Sequence, residues 1–284
     1  RQPFPPLELR LERLARLEMM TADHADAIAA AASADFGHRA AADTMLADTV
    51  LTIAAIRQMR RHLRRWMRDR RVPTPIYLRP GRSRIVRQPL GVVGVISPWN
   101  YPYQLAIAPA AAAIAAGNRV MLKPSELSGR TSELLRALIE KNFGRDEFAV
   151  VLGDAAVGRS FAALRFDHLF FTGSTAVGRE VAVAAARNLT PVTLELGGKS
   201  PAIFDSGVNF DDYTLRLAFG KLFNAGQTCV APDHALVPDG TVESFVASMT
   251  RAVSTLYPHL RANRDYTSIV SDRHLERLRA LVAD

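Results

Sequence analysis

The chain is poor in several residue types, and each shortage removes a class of protein. It holds a single cysteine, which leaves no partner for an intramolecular disulfide and fits a reducing compartment. No apolar run is long enough to span a bilayer, and no charged-then-apolar leader opens the chain. A soluble, cytoplasmic protein without a membrane span is therefore expected. Aromatics make up only 7% of residues, too few near any basic stretch to suggest base-stacking platforms. No metal site is expected. What is present is ordinary globular composition, 48% hydrophobic and 23% charged, in a chain long enough for one large α/β domain with attachments.

Charge is unevenly spread. The formal net charge is +8, and Arg57, Arg60, Arg61, Arg64, Arg65, Arg68, Arg70 and Arg71 face only Asp69 in their stretch. Ile53, Ile56, Met59, Leu63 and Trp66 recur between them at helical spacing. A solvated helix face explains the run better than a nucleic-acid patch, so no nucleic-acid partner is expected.

Residues 7–32 read as an amphipathic helix and 39–69 as a second, longer one. Residues 75–88 read as a hairpin turning at Pro80-Gly81, with Pro and Arg suited to an arm or sheet edge. From Gly91 the texture changes. Apolar runs at Val92–Ile96, Val120–Leu122, Phe148–Leu152, His168–Phe171 and Val192–Leu196 alternate with helical patterns. That alternation predicts a doubly wound parallel sheet, Rossmann-like, whose ligands gather at the carboxyl ends of strands. The expected layout is helices and arm over 1–90, a dinucleotide-binding domain over 91–226, and the start of a second α/β domain over 227–284.

The polar motifs sit at those strand ends. Ser97-Pro98-Trp99-Asn100 follows the first strand, Lys123-Pro124-Ser125-Glu126 the second, and Gly173-Ser174-Thr175-Ala176-Val177-Gly178 joins a strand to a helix, offering amides to a phosphate. A plain turn is the rival reading of the last, and a surface ion pair that of Lys123 and Glu126. Glu195 closes a Val/Leu strand before Gly197-Gly198, where a carboxylate is costly to bury unless it is used or paired. Cys229 stands in the loop Asn224-Ala225-Gly226-Gln227-Thr228, whereas an inert cysteine usually sits within an apolar run. A reachable thiol is expected.

Pro98-Trp99-Asn100, Lys123-Pro124-Ser125-Glu126, Phe171-Thr172-Gly173-Ser174, Leu194-Glu195-Leu196-Gly197-Gly198-Lys199 and Gly226-Gln227-Thr228-Cys229 resemble, in order, the signatures of the NAD(P)-dependent aldehyde dehydrogenase superfamily. Asp35-Phe36-Gly37-His38, the Arg-rich helix and Asn188-Leu189-Thr190-Pro191-Val192 are similar to its coniferyl aldehyde dehydrogenase-like branch. The resemblance implies oxidation of an aldehyde, aromatic or long-chain, to the carboxylate. It makes Cys229 the nucleophile, Asn100 an oxyanion donor with the Cys229 amide, and Glu195 the base that activates water. A free thiol, of pKa about 8.5, is only a few per cent ionised at neutral pH, so such a nucleophile needs help from its surroundings.

It further implies that Ile96, Ser97, Trp99, Lys123, Ser125, Glu126, Phe171, Gly173, Ser174, Val177 and Leu196 line a cofactor groove. Lys123 and Glu126 would hold the adenosine ribose, the acid favouring NAD with NADP possible. A homodimer or higher homo-oligomer is implied, with the 75–88 arm as its contact. Family members continue beyond this length, so the chain reads as C-terminally truncated, ending within a helix at Leu281–Asp284. Two alternatives stand beside oxidation: a dinucleotide-binding fragment without turnover, and a relative that passes its acyl group to coenzyme A, which a hydrolytic Glu195 disfavours.

Overall fold

In a computed structural model, which describes residues 4–284, the sequence 7–32 forms two helices, not one: α1 (Leu7–Asp23) and α2 (Ala25–Phe36), broken at His24. The break lets each bury its own stripe. Leu14, Leu17 and Met20 are buried on α1, which packs on the helices Leu51–Trp66 and Gln104–Ala115. Ile28 and Ala32 are buried on α2, which packs on the helix Gly129–Asn142, and Phe36 lies against Trp99. The second predicted helix is continuous from α3 (Ala41–Thr44) through a π-helical stretch (Met45–Val50) into α4 (Leu51–Trp66). The wider turn carries Asp48 fully into the interior, and such π segments tend to occur near functional sites.

The arm also departs from expectation. Its ladder pairs β1 (Arg70–Val72) antiparallel with β2 (Ser83–Ile85), and Ile76–Leu78 is a single 3-10 turn, not a strand. Pro73 and Pro75 lack amide hydrogens, so the pairing withdraws to residues before them.

From here the βα alternation holds. β3 (Val92–Ile96), α5 (Gln104–Ala115), β4 (Arg119–Lys123), α6 (Gly129–Asn142), β5 (Phe148–Val150), α7 (Ala155–Ala162), β6 (His168–Gly173), α8 (Thr175–Ala186) and β7 (Val192–Leu196) follow one another. The sheet order is β5-β4-β3-β6-β7, every pairing parallel. Strand order reverses beside β3, and that is where a crevice opens in such sheets. Both faces are covered, as a parallel sheet requires. One core holds Val95, Ile107, Ile114, Leu122, Leu135 and Ile139 with the stripes of α1 and α4. The other holds Phe161, Phe166, Leu169, Phe171 and Val181.

The chain then forms β8 (Ser200–Ile203), α9 (Thr214–Leu222), β9 (Pro232–Leu236), α10 (Val242–Leu256) and α11 (Asp272–Ala283). β8 and β9 pair in parallel. The thiol loop lies between α9 and β9.

Candidate active site

The carboxyl edge of the sheet collects the motifs. β3 delivers Ser97, buried, whose amide donates to the Lys123 carbonyl at 3.1 Å. β4 delivers Lys123, only 3% exposed, whose Nζ donates to Glu126 Oε2 at 3.0 Å. Burial works to raise the Glu126 pKa, but hydrogen bonds from its own amide and from Lys123 outweigh it and hold the carboxyl below its ordinary value. Ser125 Oγ accepts from the Leu127 amide at 3.2 Å, and its carbonyl accepts from the hydroxyls of Ser128 and Ser132.

On the other side of β3, Phe171, Gly173, Gly178 and Leu196 form one close-packed spot. A Cβ on Gly173 would come within 2.5 Å of the Phe171 ring, and one on Gly178 within 2.8 Å of Leu196. Ser174 Oγ accepts from the Val177 amide at 3.3 Å and starts α8, with Val177 exposed above it. Ile96 is half-buried at the end of β3. Trp99 packs edge-on against His274 of α11 at 4.9 Å and against Phe36 at 6.1 Å. Burial and the neighbouring Arg277 and Arg273 push the His274 pKa down.

The thiol loop is held in an unusual backbone. Asn224 and Ala225 both have φ of 53°, and Gly226 has 74°. Only the last is at ease there, because an L side chain in the left-handed region crowds its own backbone. Most of the loop's polar groups are taken up by the surrounding chain, although Asn224 Oδ1 is buried without a partner among the described residues. Asn224 is buried, with its amide on Asp43 Oδ2 at 3.2 Å and its Nδ2 on the Asn100 carbonyl at 3.0 Å. Gln227 Nε2 donates to the Asn224 and Ser268 carbonyls, each at 3.0 Å, and its Oε1 accepts from the Val270 amide at 3.0 Å. Asn100 Nδ2 donates to the Gln227 carbonyl at 3.0 Å, and the Tyr101 hydroxyl meets Thr228 Oγ1 at 2.5 Å. The Trp99-Asn100-Tyr101 turn and the thiol loop are thereby joined along their length.

Cys229 is exposed at the end of this loop, as a reachable thiol should be. Gly198, just past β7, lies against it: a Cβ there would stand 3.6 Å from the Cys229 carbonyl oxygen. Glu195 is exposed rather than buried, and its carboxylate has no hydrogen-bond partner among the described residues. The burial cost that singled it out in the sequence is absent.

Arg39, Asp43 and Asp48 were not foreseen. All three are buried beneath the site. The only sign of Asp43 and Asp48 in the sequence is charge on the inward face of a helix that otherwise buries Ala47, Thr44 and Ile56, and Arg39 lies just before that helix.

A dinucleotide fits this edge. Ser97 Oγ and Thr172 Oγ1 are buried without partners, which is costly unless something fills the role. Both lie at the strand ends where the crevice opens, between buried Lys123 and the amides that start α8. Fold and site together define an α/β dinucleotide-binding architecture with an exposed thiol at its mouth.

Residues 5–284 match the model of the aldehyde dehydrogenase family, and the chain belongs to that family. It is 50% identical over 279 residues to a coniferyl aldehyde dehydrogenase of a Pseudomonas species, covering 98% of this chain and 57% of that protein. It is 47% identical to a probable coniferyl aldehyde dehydrogenase of Pseudomonas aeruginosa, covering 100% of this chain and 60% of that one. The structure superposes on the substrate-bound state of Staphylococcus aureus AldH with a TM-score of 0.94 at 36% identity, over 99% of this chain and 61% of that one. It also superposes on the Mycobacterium tuberculosis aldehyde dehydrogenase complexed with NAD+ with a TM-score of 0.87 at 29% identity, over 100% of this chain and 58% of that one. The chain thus spans about three fifths of the length of the relatives it matches.

Proposed function

We propose that this chain carries the cofactor groove and the nucleophile of an enzyme that oxidises an aldehyde to a carboxylate, with NAD as acceptor. One observation carries the reading: the lone thiol is exposed on a loop hydrogen-bonded to Asn100, at the carboxyl edge of a sheet that presents orphaned polar atoms to a dinucleotide. Identity of 50% to a coniferyl aldehyde dehydrogenase supports an aromatic aldehyde as substrate. The NAD+-bound relative supports the cofactor. A dog relative described as dimeric and NADP-preferring, 37% identical, keeps NADP and a dimer in view, the exposed Ile76, Tyr77 and Leu78 of the arm being the proposed contact. The proposed domain limits, 90/91 and 226/227, fall after the arm and within the thiol loop, and β8 pairs across the second with β9.

The Cys229 thiolate adds to the carbonyl carbon, and the oxygen takes the negative charge. The second hydrogen of the Asn100 amide and the Cys229 backbone amide receive that oxygen. One such donor stabilises the transition state by about 2.7–4 kcal/mol. A dinucleotide held by Lys123, Glu126 and the amides that start α8 would supply the hydride acceptor that converts the Cys229 adduct to a thioester. Glu195 takes a proton from water, whose oxygen attacks the thioester carbon, and the C–S bond breaks to return the thiolate and release the carboxylate. Glu195 is exposed near the end of β7, three residues before the Gly198 that lies against the Cys229 carbonyl.

Cys229→Ala tests the reading. Loss of NADH production from coniferyl aldehyde with NAD binding retained is expected; turnover at the parent rate would end it. One further reading is a dinucleotide-binding unit without turnover, which predicts NAD binding but no NADH from any aldehyde.

A further inference from the structure

The motif Asp35-Phe36-Gly37-His38 and the helix after it are not used by the reaction as described, yet they grip the site from several sides. Both Asp35 oxygens accept from the start of α6: the Arg130 amide at 2.7 Å, the Thr131 amide at 2.9 Å and the Thr131 hydroxyl at 2.6 Å. Phe36 packs on Trp99. The His38 carbonyl accepts from the Ser268 amide at 2.9 Å, in the same segment that Gln227 binds.

Arg39 comes next and is 2% exposed. Its Nη2 donates to Asp48 Oδ2 at 2.9 Å and its Nη1 to the Asn100 carbonyl at 3.2 Å. The guanidinium lies over the rings of Phe36 at 5.0 Å and Tyr101 at 5.2 Å. Asp48 Oδ1 accepts from the Tyr103 and Gln104 amides, at 3.1 and 3.0 Å, where α5 begins. One buried ion pair therefore holds both ends of the segment from Asn100 to Gln104.

The Asn100 carbonyl accepts a second bond, from Asn224 Nδ2 at 3.0 Å. A carbonyl has two lone pairs, and both are occupied, so the peptide plane after Asn100 is fixed by two donors. A buried ion pair is weak evidence for stability, because an apolar pair of equal volume usually serves as well. What this pair supplies is direction.

We propose that Arg39, locked by Asp48, is a positioning residue of the reaction: it fixes the Asn100 peptide so that the Asn100 side-chain amide faces the thiol loop. Arg39 touches neither substrate nor cofactor in this account. The inference rests on the functional reading above, in which Asn100 receives the carbonyl oxygen. Lysine cannot replace the fork, since a single ammonium on a flexible stem does not hold two acceptors in one plane.

The test uses the protein expressed from its own gene. Arg39→Lys keeps the charge; Arg39→Met/Asp48→Asn removes both charges yet leaves acceptors for the Tyr103 and Gln104 amides, and it decides the matter if the lysine variant does not fold. The expected result is a fall in kcat of about 30-fold or more, with KM for aldehyde and the Kd for NAD within about threefold of the parent. Combined with Asn100→Ala, either variant should add less than about threefold to the loss from Asn100→Ala alone, because both act through one group. Folded variants with kcat within about twofold of the parent, or losses that multiply with Asn100→Ala, would overturn the inference. A parent whose turnover survives Cys229→Ala overturns the functional reading and this inference with it. A Cys229-dependent parent indifferent to Arg39 overturns this inference alone.

Discussion

Asn100 and Gln227 are joined by a 3.0 Å hydrogen bond from the side-chain amide of the first to the backbone carbonyl of the second. The bond uses one of the two amide hydrogens and orients the other, so a residue far from the thiol in sequence is set beside its loop. Asn100→Ala should lower kcat by about 10²–10³-fold with NAD affinity unchanged. Steady-state kinetics beside a fluorescence titration with NAD check this, and a weakened Kd at parental kcat would place Asn100 in cofactor binding instead.

The loop's backbone makes a separate prediction about stability. Ala225 sits at φ 53°, a conformation that costs a non-glycine residue roughly 1–2 kcal/mol. Ala225→Gly should therefore raise the free energy of unfolding by about 1 kcal/mol, less whatever freedom glycine adds to the unfolded chain. Denaturant unfolding measures it. A loss of more than about 1 kcal/mol would show that the alanine methyl group packs usefully there.

Much of the sheet was legible, and the reason is physical. A strand buried on both faces must be apolar throughout, so Val92–Ile96 announces itself, and the polar residues after it fall at the crevice by topology alone. The edge strand Val192–Leu196, only partly buried, carries Thr193 and an exposed Glu195. The helices were less legible. The break at His24 answers to which neighbour each stripe meets, and periodicity within the stripe does not encode that. The arm differs from the expected 75–88 hairpin because its ladder starts before Pro73, at Arg70–Val72, and Ile76–Leu78 makes a 3-10 turn in place of a strand.

The site shows the same division. Cys229 is marked by its polar loop and Lys123 by its place at the end of β4, whereas Arg39, Asp43 and Asp48 carry no local mark. Their partners lie at Asn100, Asn224, Tyr103, Gln104 and Thr267, contacts made only when the chain folds. Glu195 was singled out by a burial cost that its exposed position does not incur.

Lys123 and Glu126 make a prediction about cofactor choice. If this pair holds the ribose as proposed, its 3.0 Å bond would leave a carboxylate there that repels a 2′-phosphate. Glu126→Gln should raise the ratio of kcat/KM for NADP to that for NAD by about tenfold, worth about 1.4 kcal/mol. Rates measured with each cofactor decide it, and an unchanged ratio would move the discriminating group elsewhere.

Tyr101 makes a prediction about alkaline stability. Burial pushes its phenol up from 10.0 to about 12, the Thr228 hydrogen bond opposing only in part. The folded state thus keeps a proton that the unfolded state has lost. The contribution is whole below pH 10 and disappears as pH rises toward about 12. Unfolding free energy should fall across that window, and Tyr101→Phe should flatten the fall. An identical slope in the variant would show that other groups cause it.

The covalent step through Cys229 is the centre of the account, and intact-protein mass spectrometry of Glu195→Gln during turnover of coniferyl aldehyde with NAD measures it most directly. The predicted result is a burst of NADH matched by an acyl mass increment on the peptide that holds Cys229, decaying slowly as water attacks unaided. NADH released at the parent rate with Cys229 unmodified throughout would contradict it.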